Sequence, residues 1–148
     1  MLDRVQPRRL GNFSVLLAVY SSRATLLSAA KRRGVTENRS LVLLGTLELL
    51  VLKVLELGPA HGWGLAEALE SMTDGVFCVN QGSLYPALQR LKRQGLVTAR
   101  WQRTEHGRRA RYYDLTAKGS RRLADQEAQW SRTSGAVNRV LAARRTEA

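Results

Sequence analysis

Apolar positions recur along this chain with three distinct rhythms. From Ser40 to Leu57, "SLVLLGTLELLVLKVLEL" is greasy nearly all round, broken only by Glu48, Lys53 and Glu56. Thr46 offers a helix start and Gly58–Pro59 a stop. A helix apolar on all sides must be covered on more than one of them. A second helix is predicted over His61–Met72, with Leu65, Ala68, Leu69 and Met72 as its inner stripe. A turn at Asp74–Gly75 closes it, and "VFCV" (Val76–Val79) reads as extended chain or loop. The third helix lies in "NQGSLYPALQRLKRQGLV", Asn80–Val97. Leu84, Ala87, Leu88 and Leu91 share one face there, and Gly82, Pro86, Gln89 and Arg93 lie opposite. Its N-cap is Asn80 or Ser83. Pro86 favours Ser83, because a proline in the first turn loses no backbone bond.

The rhythm then shortens to two. "LVTARWQ" (Leu96–Gln102) and "RYYDLT" (Arg111–Thr116) read as strands, with Gly107 at the tip of the hairpin between them. Strand alternation sets Tyr113 with Leu115 and Tyr112 on the other side. Trp101, Tyr112 and Tyr113 are expected to pack the hairpin onto the helices. Thr116–Arg145 reads as a long helix capped by Thr116. Leu123, Trp130 and Val137 repeat at seven residues, with Ser134, Val140 and Leu141 extending that side. A seven-residue spacing marks a helix laid on another helix. The greasy first helix of a second subunit would suit it. Three helices, a hairpin and a long helix give a mainly α fold with a small β-hairpin: a winged helix-turn-helix (40–115) followed by a C-terminal dimerisation helix and tail (116–148).

Charge sharpens this picture. The 148 residues carry a formal charge of +12, which suits a polyanionic partner, nucleic acid before an anionic membrane. Residues 1–39 hold eight basic and two acidic residues and read as a mobile basic extension, with an amphipathic helix possible around Val15–Ala30. Between Arg90 and Arg111 stand eight basic residues and one acid, Glu105. The outer flank of the third helix (Gln81, Ser83, Tyr85, Pro86, Gln89, Arg90, Arg93) is therefore expected to meet the major groove. Gln can pair bidentately with adenine and Arg with guanine. Arg103, His106, Arg108, Arg109 and Arg111 are expected along the phosphate backbone. Leu123, Trp130, Val137 and Leu141 are the expected dimer contacts.

Other chemistry is thinly represented. His61 and His106 are far apart, and the sequence shows no zinc-ligand spacing, phosphate loop or nucleophile elbow. No enzyme, metal or cofactor is expected. "HGWG" reads as a turn into a helix. The lone Cys78 is read as a small buried hydrophobe, with redox sensing as the lesser alternative. "FSVLLAVY" follows three arginines, as in a leader peptide, but Arg23 interrupts it and no cleavage site follows, so a cytoplasmic protein with no membrane span is expected.

Between Gly45 and Leu141 the chain resembles the PadR family of bacterial transcriptional regulators. The resemblance rests on "LELGPAHGWGLAEAL", "NQGSLYPALQRLKRQGLV", "GRRARYYDLTAKG" and Trp130. It implies a homodimer on palindromic double-stranded DNA, usually as a repressor. The major-groove helix would be Gln81–Arg93, the wing Arg103–Arg111, and the dimerising helix Thr116–Arg145. The single short terminal helix is similar to the smaller branch of the family. Some members take phenolic acids or planar drugs near the dimer interface, so a small aromatic effector could stack on Trp130. Residues 1–39 have no counterpart in the short members. The alternatives are a non-specific nucleic-acid binder and a protein-interaction module with a basic face.

Overall fold

Seven elements follow one another in the computed structural model, which describes residues 43–144. They are α1 (Leu43–Leu57), β1 (Ala60–His61), α2 (Gly62–Met72), α3 (Gln81–Arg93), β2 (Val97–Arg103), β3 (Arg109–Leu115) and α4 (Ala117–Leu141). The basic extension 1–39 and its expected helix lie outside the described residues.

The core forms where the apolar stripes of the helices meet the base of the sheet. Val51, Leu52, Val54 and Leu55 of α1, Leu65 and Leu69 of α2, and Leu84, Leu88 and Leu91 of α3 are all buried, with Val97, Tyr113 and Leu123. Each such side chain contributes about 1.5–3 kcal/mol relative to exposure. Helix α1 is covered by α2, α3, α4 and β3 of its own chain, which explains why it is greasy all round. Thr46 lies inside α1 rather than at its start.

The sheet has one strand more than the pattern suggests. β1 pairs antiparallel with β3, Ala60 opposite Tyr113 and His61 opposite Tyr112, giving the order β1-β3-β2. Two residues between Gly58–Pro59 and Gly62 are too few to show a period, so no alternation announces them. Val97 pairs with Leu115, Ala99 with Tyr113 and Trp101 with Arg111.

Local chemistry fixes the joints. His61 caps α2, its Nδ1 accepting from the Gly64 N–H at 3.1 Å. Helix α3 ends in a Schellman motif: Gly95 stands at φ +71°, Leu96 N–H donates to Leu91 O and Gly95 N–H to Lys92 O. Thr116 caps α4, its Oγ1 accepting from Gly119 N–H and donating to the carbonyls of Gly95 and Leu96. Gly119 lies directly on the Leu96 carbonyl, where a Cβ would overlap Leu96 O and Leu115 Cδ1. The hairpin and the long helix are therefore docked backbone to backbone.

One expectation about α4 is corrected. Leu123, assigned to a dimer seam, is only 1% exposed and belongs to the monomer core. Within the chain α4 packs on α1, to which Lys53 Nζ–Glu127 Oε1 (2.9 Å) also ties it. Glu56 and Glu127 hydrogen-bond the Lys53 ammonium and raise its pKa.

Candidate nucleic-acid interface

Helix α3 begins earlier than its proline suggests. The cap is Asn80, whose Oδ1 accepts from Ser83 N–H at 2.9 Å. Ser83 is thus within the first turn, and Pro86 is inside the helix. Pro86 therefore has no N–H to give the carbonyl of Gly82, and the helix continues through it on the burial of Leu84, Ala87, Leu88 and Leu91.

The inner and outer faces of α3 separate as its helical wheel predicts. Leu84, Ala87, Leu88 and Leu91 are fully buried, while Gln81, Ser83, Tyr85, Pro86, Gln89, Arg90 and Arg93 are exposed. Two of these have partners within the chain. Arg90 Nε donates to Glu48 Oε1 at 2.7 Å, which turns its guanidinium toward α1. Tyr85 leans its phenol on the start of α2, where a Cβ on Gly62 would lie 3.0 Å from the hydroxyl. Gln89 and Arg93 project from the flank opposite the core.

The hairpin extends past the core. Its turn closes with Thr104 N–H on Arg108 O (2.7 Å) and Gly107 N–H on Thr104 O (2.9 Å). Gly107 adopts φ +75°, a conformation that a Cβ disfavours. Arg103, His106, Arg108 and Arg109 are exposed and Arg111 is half-buried. All five expected wing residues thus lie on one hairpin.

The three hairpin aromatics have different surroundings. Tyr113 is buried, and Tyr112 packs edge-on against His61 with ring centroids 5.2 Å apart. Trp101 does not pack the hairpin onto the helices: it is 62% exposed, with the Arg109 guanidinium 5.4 Å above its ring. It has the same strand parity as Val97 and Ala99, but it lies beyond the reach of the helices. Burial pushes the Tyr113 phenol up; Arg111 draws it partly back, and Tyr85 adds to the rise. Burial lowers the His61 pKa, against a smaller pull from Glu67.

Some surface features were not singled out from the pattern. Trp63, in the first turn of α2, is 60% exposed. Lys118, Arg121 and Arg122 line an open groove with Gln94, Leu96 and Asp125, Lys118 donating to the Gln94 carbonyl. Cys78 is half-buried rather than buried, its thiol 3.5 Å from Gly75 O and 3.6 Å from Glu70 Oε1. On α4, Trp130 is 48% exposed, and Val137, Val140 and Leu141 also stand in the open. Among the described residues no helix is long and apolar enough to cross a membrane.

A small antiparallel sheet closing three helices, with an uncovered third helix beside a basic hairpin, defines a winged helix-turn-helix protein, a DNA-binding architecture. The sequence profile of the transcriptional regulator PadR-like family matches residues 51–125, and the chain belongs to that family. It is similar to the transcriptional regulator YqjI of Escherichia coli K12, 34% identical over 86 residues, 58% of this chain and 36% of that protein. The chain thus matches little more than a third of that relative's length. Among solved structures it resembles a PadR-like transcriptional regulator of Bacillus cereus (TM-score 0.61, 27% identity, 69% of this chain and 97% of the other). It also resembles a PadR family regulator of Eggerthella lenta (TM-score 0.56, 29% identity, 86% of this chain and 99% of the other).

Proposed function

We propose that the protein is a sequence-specific transcriptional repressor that binds a palindromic operator as a homodimer. The observation that carries this reading is the uncovered flank of α3, where Gln89 and Arg93 stand free of the core beside a hairpin rich in exposed arginine. Their side chains have the donor and acceptor groups that base edges in the major groove require. Arg103, His106, Arg108 and Arg109 supply positive charge for the phosphates on either side. Tyr85 and Ser83, nearer the helix start, suit backbone oxygens. Arg90 is set back at the rim, because Glu48 already holds its Nε and offsets its charge.

Homodimerisation rests on α4. Beyond Leu123 its stripe continues through Trp130, Val137 and Leu141, all exposed. A second copy of the helix would cover them and set two α3 helices on one side of the assembly, reading half-sites about 10 base pairs apart or a multiple of that.

Selection of binding sites from random duplex DNA tests the reading. The expected result is one inverted repeat, bound far more tightly than scrambled duplex at the same salt. Equal affinity for every sequence would make the protein a non-specific DNA binder. A reporter placed behind the selected site then separates repression from activation.

A further inference from the structure

The exposed Trp101 has no packing role to explain it, and its surroundings are specific. Residues directly opposed across an antiparallel pair share a face, so Trp101 and Arg111 lie on the same side as Ala99 and Tyr113. Arg103 and Arg109 are the next opposed pair on that side. Near the helices this face is core. Farther out, rings and guanidinium groups alternate along it. The Arg111 guanidinium lies 6.0 Å from the Tyr113 ring, and that of Arg109 lies 5.4 Å from the Trp101 ring.

We propose that Trp101 is a positioning residue for DNA binding, its open indole holding the Arg109 guanidinium as the outer rung of a ladder that runs along the hairpin from Tyr113 to the wing. The proposal rests on the DNA-binding reading above. A guanidinium stacked on a ring uses its flat face and leaves its N–H edges free for phosphate oxygens. A long side chain loses rotamer freedom when it meets DNA. Stacking it beforehand removes part of that loss. Trp is the ring with the strongest attraction for a cation. The indole therefore acts through Arg109. A tryptophan that wedged between bases or stacked on them would act independently of the arginine.

A double-mutant cycle separates these roles. Affinity for a duplex carrying the selected site is measured by fluorescence anisotropy at fixed salt for wild type, W101A, W101F, R109A and the W101A/R109A pair. Unfolding midpoints are recorded for each. W101A is expected to weaken binding about two- to fivefold, the range of an exposed cation–π contact. W101F should restore most of the loss, and W101A should cost nothing further once Arg109 is alanine. Wild-type affinity in W101A overturns the proposal. So does an equal loss in both arginine backgrounds, the signature of direct base stacking or of a weakened hairpin. A wild-type protein that binds no duplex in a salt-dependent way overturns the DNA-binding reading itself, and this proposal with it.

Discussion

His61 closes strand β1 and opens helix α2 with one imidazole. Its Nδ1 must be unprotonated to accept the Gly64 N–H, and burial favours the neutral ring by lowering its pKa from the ordinary 6.5. The unfolded chain therefore binds more protons than the folded one just below that value, and stability rises with pH there. The contribution is present above pH 6.5 and is lost as the pH falls from there through the folded pKa. His61→Asn keeps a capping side chain without a titrating group. The expected outcome is a flatter dependence of Tm on pH between about 5 and 7, the range in which histidine titrates. An unchanged slope in the variant would remove His61 from the explanation. Gly119 makes a different kind of demand. Its place on the Leu96 carbonyl leaves no room for a methyl group, and backbone cannot swing aside as a side chain can. Gly119→Ala should cost about 1–3 kcal/mol in denaturant unfolding.

At the level of elements, the proposed function assigns different tasks to α3 and the β2–β3 hairpin. Helix α3 is held by four buried apolar residues and presents Gln89 and Arg93 outward. Gln89→Ala or Arg93→Ala should relax sequence choice by about 1–3 kcal/mol for each base that is no longer read. Arg108, at the turn of the hairpin, should behave otherwise. Arg108→Ala should weaken specific and random duplex alike and lower the salt slope by about one unit. Competition binding across a panel of sites and salt concentrations measures both. Identical sequence profiles for the two kinds of variant would show that helix and hairpin do not divide recognition in this way.

The whole molecule turns on how α4 is shared between core and surface. Its first turns are docked by Gly119 and Leu123, and Lys53–Glu127 continues the contact with α1. Past that point the same stripe emerges with Trp130, Val137 and Leu141 uncovered. Substitutions on either side of this divide should have opposite effects. Leu123→Ala should destabilise the fold by about 2–5 kcal/mol. Trp130→Glu should leave the monomer folded and break the dimer. Light scattering would then give the 16.5 kDa chain mass for the variant and twice that mass for wild type. A wild type that scatters as a single chain would remove the homodimer from the proposed mechanism.

Local pattern was enough to read the order of the helices and the hairpin, the inner face of α3, the Gly107 turn and the Thr116 cap. Each of these follows from residues within a few positions of one another: a 3.6-residue stripe, a two-residue alternation, one glycine or one threonine. The family resemblance was legible for the same reason, since its motifs are contiguous. Other features emerge only when residues distant along the chain meet in the fold. Arg90 reaches Glu48 across 42 positions, and Ala60–His61 becomes a strand only because β3 lies alongside it. Leu123 is core and Trp101 is not, although each stands in good register with its neighbours. Periodicity reports which way a side chain points. Whether another element is there to cover it depends on the packing of the whole chain.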